Sequence, residues 1–542
     1  MIGSYDTTVA RWGSPDAPIT ISERGRLFLE TEVGVPTPTP IVGRSDVKVP
    51  ASQLSEAARS ALADAVGVDA LSEADDERLA HAGGFSYLDL VDRRDGDSAL
   101  PDAIVRPASA DDVARLLAAC VAHDVAVVPF GGGTSVVGGV RPERGPHSAV
   151  IAAAFDRMAE LVDVDNVNMT ATVGPGMTGP TLERLLGARG LTLGHFPQSW
   201  ERASIGGYVA TRSAGQASSG YGRSDDMVEA LRVMTPQGEM VLGRAPGSAA
   251  GPDLRQLFIG SEGAFGIITE VTLRVRRQPQ ERRYEGVMFP SYELGLEAFR
   301  EIAARRTQPD VMRLSDPQET SSTLAMGTDG AVAAVLDGYL KLRRAANGAL
   351  AIFGWEGTRT QVGARRDETW RVIRAHKGVA LGQRVGSSWE HARFSGPYLR
   401  DVLMDEGYLV ETLETATRWR DLPALRESVT NALKESLHDD GPGPFVMSHL
   451  SHVYETGGSL YITVVARRDA GNSREQWLAA KAAACDAIVA SGATITHHHA
   501  VGRDHAPWLK DEIGQTGIDL LHVVKTQLDP DGILNPGVLI GT

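Results

Sequence analysis

A run of twelve residues, Pro129-Phe-Gly-Gly-Gly-Thr-Ser-Val-Val-Gly-Gly-Val140, restricts what this chain can become more than any other stretch. The apolar segment leading into it, Asp124-Val-Ala-Val-Val-Pro129, reads as a short buried strand ending in proline. Gly131, Gly132 and Gly133 then let the backbone turn tightly and come close to a ligand. Thr134 and Ser135 add hydroxyls beside free backbone N–H groups, a combination that suits a pyrophosphate. The dinucleotide fingerprint G-x-G-x-x-G does not fit. Gly131 and Gly133 supply its first two glycines, but the third position is Val136, and Val136, Val137 and Val140 do not open a helix. Asp156, at loose spacing, is weak support for a ribose-binding acid.

The order of the flanking motifs is more specific. Pro101-Asp-Ala-Ile-Val-Arg-Pro107 precedes a helix expected over 111–123. Then come Thr172-Val-Gly-Pro-Gly176, Ser204-Ile-Gly-Gly207, Thr211-Arg-Ser213, Tyr221-Gly222 and Gly260-Ser-Glu-Gly-Ala-Phe-Gly-Ile-Ile-Thr269. Together, over about residues 97–276, they resemble the FAD-binding domain of the vanillyl-alcohol oxidase superfamily. The resemblance implies FAD held by Pro129, Gly131, Gly132, Gly133, Thr134, Ser135, Pro197, Ser199, Ser204, Gly206, Gly207, Thr211, Arg212, Ser213, Glu262, Gly263, Gly266, Ile267 and Ile268. Thr192–Ser199 is expected to wall the flavin, with His195 in a structural role. Arg212, and with less force Arg223, is positioned to counter the pyrophosphate charge. Bicovalent attachment needs a histidine in the glycine loop, where Gly133-Thr134 stands, and a nearby cysteine in the wall, where there is none. The expected FAD is therefore non-covalent.

The bulk numbers narrow the partners. A formal net charge of -15 over 542 residues argues against nucleic acid and against broad attraction to anionic lipid. Cys120 and Cys485, the two cysteines, sit in alanine-rich helical patterns and read as small buried residues of a reducing compartment. No run of about 20 apolar residues is present, and neither terminus reads as a targeting signal, so a cytoplasmic location is expected.

The fold expected is α+β: a two-subdomain FAD-binding domain with an α/β cap built on an antiparallel sheet. The divisions are 1–96, irregular and then helical; 97–276, FAD-binding; 277–490, the substrate-binding cap; and 491–542, returning to the FAD domain. Residues 1–50 are expected to be irregular, wrapping over a partner subunit, with Arg11-Trp-Gly13 as a packed surface turn. Residues 54–80 have helical spacing. Strands are expected at 149–153, 169–173 and 267–275, an edge strand at 284–290 and another strand at 349–354, with a helix over 180–189.

A flavin fold does not name a reaction. Two cap stretches do more: Ser448-His-Leu-Ser-His-Val-Tyr-Glu-Thr-Gly-Gly-Ser-Leu-Tyr-Ile-Thr463 and Ala493-Thr-Ile-Thr-His-His-His-Ala-Val-Gly502. Flavin-dependent D-2-hydroxy acid dehydrogenases carry Gly-Asp-Gly-Asn-Leu-His and Glu-His-Gly-Ile-Gly at these places, where they help to hold a metal and a carboxylate. Here Tyr461 replaces the histidine and His498 the acid, so that metal site is expected to be lost. With Pro397-Tyr-Leu-Arg-Asp401, Val311-Met-Arg-Leu314 and Glu414-Thr-Ala-Thr-Arg-Trp419, the pattern over 97–542 resembles the alkyldihydroxyacetonephosphate synthase family. Two departures, Ala264-Phe265 and the Trp-Glu-Arg-Ala after Ser199, bear on flavin packing.

The resemblance implies exchange of the acyl group of acyl-dihydroxyacetone phosphate for a long-chain alcohol, with no net redox change, through a flavin N5 adduct. It implies Tyr461 as general acid/base, a base among His497, His498 and His499, and Arg400 and Arg313 as substrate-pocket arginines. On an extended segment His497 and His499 face one way and His498 the other, so the three cannot share one task. His449, His452 and Tyr454 are candidate pocket neighbours. The partners implied are a lipid-like phosphorylated ketone, a long-chain alcohol, a second copy of the chain in a homodimer, and a membrane surface touched peripherally. The alternative reaction is FAD-dependent oxidation of a D-2-hydroxy acid or alcohol.

Overall fold

The computed structural model describes residues 11–13, 19–38, 41–327 and 338–541. The glycine loop springs from a four-stranded sheet ordered Leu71–Ser72, Ala103–Val105, Ala149–Ala154, Val125–Phe130. The last three strands run parallel. Parallel neighbours need a crossover, here the helix Ala110–Ala122, whose Ser109 side chain caps the Asp112 N–H. Leu116, Leu117 and Cys120 on that helix share one core with Leu62, Val127 and Ile151. A second sheet is five-stranded and antiparallel, ordered Leu161–Asp165, Thr170–Val173, Ile267–Arg274, Val228–Thr235, Gly238–Leu242. Both cysteines are buried and free.

The cap is a seven-stranded antiparallel sheet ordered Val379–Gly382, Glu281–Phe289, Ala349–Gly357, Val311–Ser315, Phe445–Val453, Gly457–Arg467, Tyr408–Arg418. Side chains alternate along its strands. Val446, Leu450, Leu460, Ile462 and Val464 join a core with the helices Tyr292–Ala304, Arg359–Ala375, Leu422–Ser436 and Ser473–Ala490. The intervening Met447, His449, Tyr461, Thr463 and Val465 line a cavity instead.

The chain's end returns to the glycine loop. Leu534 bridges Val127 in parallel, and the Asp529 carboxylate accepts the Ile533 and Leu534 N–H groups. Asn535 Nδ2 donates to Gly139 O at 2.9 Å and Glu262 O at 2.7 Å, tying the two halves of the expected cofactor site together.

Four expectations need correction. Residues 54–80 form no single helix: Glu56–Val66 ends at Gly67, whose φ of 93° leaves the helical region, and a 3-10 turn and short strand precede a second helix, Asp75–Ala80. The 284–290 strand is interior, because Val379–Gly382 pairs outside it. The 1–50 region contains a helix, Glu23–Glu32, capped by Ser22 and packed within this chain through Leu29 and Val33 against Leu403 and Phe445. Trp12 is buried, 3 % exposed, and the N–H groups of Trp12 and Gly13 donate to Asp401.

Two buried histidines are held neutral by their surroundings. His195, with Nε2 on Ser213 Oγ, has its pKa pushed down to about 3, and His505, with Nδ1 on Ala500 O, to about 4. A histidine with a depressed folded pKa contributes stability that is present above its unfolded value and lost as pH falls toward the folded one. For His505 the window runs from about 6.5 down to about 4. His505→Gln is expected to flatten the decline of stability there by about 1.4 kcal/mol per pH unit, read from urea midpoints. Asn535→Ala strips donors from two carbonyls and is expected to cost about 2 kcal/mol or more, with weakened FAD retention.

Candidate active site

A cavity of about 610 Å³ runs from the glycine loop to the cap sheet, a size typical of small-molecule sites. Close packing explains the loop's glycines. A Cβ on Gly132 would lie 2.0 Å from Arg202 O, and Gly133 has φ 64°. Ser135 Oγ accepts the Gly139 N–H at 2.9 Å and fixes the turn. Across the cavity, Ser204 caps the helix Ile205–Ala210 and Gly206 packs against Pro175. Every expected cofactor residue lines this cavity except Arg212. The Arg212 guanidinium instead pairs with Asp225 at 3.1 Å and Gln256 Oε1 at 2.8 Å.

Two buried acceptors on lining residues, Glu262 Oε1 and Gln216 Oε1, have no partner within the protein. Unpaired buried acceptors call for a donor, and the flavin and adenine N–H groups of FAD are of that kind. Burial pushes the Glu262 carboxyl up to about 7, against the N–H that Gly502 donates to it.

At the cap end, strand register assembles the polar cluster. Tyr461 lies opposite His449 on one neighbouring strand and Glu414 on the other. Its ring stacks on His449, with centroids 4.8 Å apart. Burial drives the Tyr461 hydroxyl up to about 12. Tyr461, Arg313, Arg400, His498 and His499 all line the cavity, whereas His497 does not.

The expected alternation of the three histidines fails for a specific reason: the segment is bent around Glu414. That buried carboxylate accepts the N–H groups of His497, His498 and His499 at 2.6, 2.9 and 2.7 Å and the Thr496 hydroxyl at 2.6 Å. Burial opposes its ionisation, but the adjoining imidazoles, His498 foremost, hold it well below the usual carboxylate range. His498 Nδ1 lies 3.3 Å from Glu414 and 2.9 Å from His497 Nδ1, and His497 Nε2 lies 2.5 Å from Tyr454 Oη. Burial lowers the pKa of His497 and His499 to about 3 each. His452, His497 and His498 each bring one possible ligand atom within 4.8 Å of the others.

The arginines differ. Arg313 Nη2 contacts Glu319 at 2.8 Å and His449 Nδ1 at 3.0 Å. Arg400 pairs with Glu411, not with Asp401 or Glu414, and only at 3.7 Å. Glu319 and Glu411 are site residues that sequence reasoning did not single out, while Glu414 entered only as the start of a resemblance motif and Trp12 only as part of a surface turn. Glu411 and Glu414 had a readable signal, being acids among the leucines, valine and threonines of a strand pattern.

Beyond Tyr461 the cavity becomes apolar, lined by Phe28, Leu29, Met326, Leu403, Phe445 and Met447. No helix among the described residues is long and apolar enough to cross a membrane.

Comparison with known proteins agrees with this layout. Residues 101–243 match the FAD binding domain family, and residues 278–539 the family of FAD linked oxidases, C-terminal domain. Alkyldihydroxyacetonephosphate synthase of Trypanosoma brucei brucei is 33% identical over 475 residues, 85% of this chain and 77% of that protein. The Dictyostelium discoideum protein of that name is 32% identical over 474 residues, 86% of this chain and 77% of its own. A solved alkyldihydroxyacetonephosphate synthase superposes with a TM-score of 0.82 at 28% identity, covering 96% of this chain and 94% of that one. With a glycine-loop cavity fitted to FAD and relatives of this extent, the chain belongs to the alkyldihydroxyacetonephosphate synthase family of FAD-dependent enzymes.

Proposed function

We propose that the protein exchanges the acyl group of acyl-dihydroxyacetone phosphate for a long-chain alcohol without net redox change. One observation carries this reading: a single cavity holds the FAD-loop residues, a Tyr–His–Arg cluster and an apolar limb in continuity. The bond from the ketone's C1 to the acyl oxygen breaks, a bond from C1 to the alcohol oxygen forms, and the acid leaves as carboxylate with the alcohol's proton taken up by the protein. FAD, held by the glycine-loop residues and Glu262, would supply a flavin N5 able to carry the dihydroxyacetone phosphate fragment.

His498 is the proposed proton acceptor. Its Nδ1 lies beside the Glu414 carboxylate, so an Nδ1–H tautomer leaves Nε2 with a lone pair. Tyr461, neutral at physiological pH, is the proposed general acid/base partner. His499 flanks Tyr461 edge-on, with centroids 5.7 Å apart. Arg400, whose Nε has no partner, is the better-placed grip for the phosphate, since Arg313 is already engaged by Glu319 and His449. The apolar limb takes the alkyl and acyl chains by exclusion of water. A homodimer with peripheral membrane contact and a cytoplasmic location completes the proposal, supported by the family resemblance.

The test is release of labelled fatty acid and formation of the ether product from acyl-dihydroxyacetone phosphate and hexadecanol. Tyr461→Phe and His498→Asn, loaded with FAD, are each expected to lose ~10²–10⁴-fold in turnover. Bleaching of the flavin by a D-2-hydroxy acid, with recovery on adding an electron acceptor, would replace the reading by hydride transfer. Met447→Trp is expected to raise KM steeply for hexadecanol and little for butanol. Equal effects on both alcohols would remove the limb from the chain-binding role.

A further inference from the structure

We propose that Trp12 and Gly13, acting through Asp401, are positioning residues for Arg400. The inference rests on the reading of Arg400 as the phosphate grip. Arg400 is carried by the helix Gly396–Glu406, whose three acids all meet the N-terminal region of the chain. Asp401 accepts the N–H groups of Trp12 and Gly13 on one oxygen, at 2.7 and 3.0 Å. Asp405 pairs with Arg11 at 2.5 Å and with Arg94 at 3.3 Å, and Glu406 with Arg26 at 2.7 Å. On the same helix the Tyr398 hydroxyl donates to Glu201 at 2.6 Å. Arg400 itself is held more loosely, 3.7 Å from Glu411.

The other side of this segment is tied to the glycine loop. Trp12 lines the cavity, and its ring meets Phe85 edge-on with centroids 5.0 Å apart. The Phe85 N–H donates to Ser135 O at 2.6 Å. The Arg202 guanidinium lies 4.8 Å from the Trp12 ring and donates to Trp12 O, while Trp12 Nε1 donates to Glu201 at 3.3 Å. Glu201 and Arg202 belong to the Trp-Glu-Arg-Ala departure, which thus has a partner in Trp12. Gly13 is small because a Cβ there would lie 2.7 Å from the Tyr398 ring. Residues 11–13 therefore act as a spacer of set width between the glycine loop and the helix of Arg400.

The spacer also settles a competition. Asp401 follows Arg400 in the chain and is 4 % exposed, so its charge needs donors. Burial pushes its carboxyl up, and the Gly13 N–H and Arg400 act against that. With two backbone N–H groups on Asp401, its charge is met without drawing the Arg400 guanidinium onto it. Arg400 then stays available to an incoming phosphate.

The test is a double-mutant cycle on binding, read by calorimetry with dihydroxyacetone phosphate and the FAD-loaded full chain. Trp12→Ala and Asp401→Asn are each expected to raise Kd ~10–100-fold through misplacement of the guanidinium. Combined with Arg400→Gln, neither should raise it beyond the value of Arg400→Gln alone. Trp12→Phe, which keeps a ring against Phe85, should restore most of the affinity. In the exchange assay the same variants should raise KM for the acyl substrate and leave KM for hexadecanol unchanged. Flavin absorbance and melting curves establish that each variant is folded, and the nearly isosteric Asp401→Asn carries the test where Trp12→Ala does not fold. Losses that add to that of Arg400→Gln, or that fall equally on both substrates, overturn this inference and leave the proposed reaction standing. A wild type that does not bind dihydroxyacetone phosphate overturns the phosphate-grip reading and this inference with it.

Discussion

The carboxylate of Glu414 is the constraint on which the polar cap end of the cavity depends. A charge without solvent is costly unless donors surround it, and here three successive backbone N–H groups and a hydroxyl do so. The same bonds satisfy amides that no helix or sheet could use, because residues 496–499 follow neither geometry. Thr415 adds a bond to Thr494 O, and Ala416 bridges Thr494, so the end of the Tyr408–Arg418 strand and the histidine segment form one unit. Since Glu414 is also the register partner of Tyr461, one residue sets both where the histidines sit and what they face.

Legibility in the sequence followed the range of the interactions. The glycine loop was readable because a close approach such as Gly132 against Arg202 O excludes any side chain, which leaves a mark in the chain itself. The antiparallel cap was readable from apolar runs, and helix 110–122 from its spacing. The fate of 54–80 was less so: alanine and leucine at helical spacing persist across Gly67, and only its positive φ shows that the helix stops.

What stayed hidden depends mostly on contacts between positions far apart in the chain. Trp12 meets Asp401, and Glu414 meets residues 496–499, and neither pairing leaves a local pattern. Arg212 looks like a cofactor residue by motif position, yet Asp225 and Gln256 draw its guanidinium aside. The histidine run invited an alternation argument that presupposes extended backbone. The bend around Glu414 removes that premise and brings His498 and His499 to the cavity together, while His497 turns to Tyr454.

The two arginines show how the same residue type acquires different capacities. Arg313 shares a tight contact with Glu319, whose carboxyl is held well below its usual range against the cost of burial by Arg313 and His449. An incoming phosphate would have to compete with that carboxylate. Arg400 faces Glu411 at a looser 3.7 Å, and both Arg400 Nε and Glu411 Oε2 lack partners. Burial raises the Glu411 carboxyl, with Arg400 acting against it. A dianionic phosphate brought beside Arg400 would favour the protonated form of Glu411 further and free the guanidinium for a bidentate contact. Within the proposed reaction, Arg313 therefore shapes the wall around His449 and Tyr461, and the phosphate grip falls to Arg400.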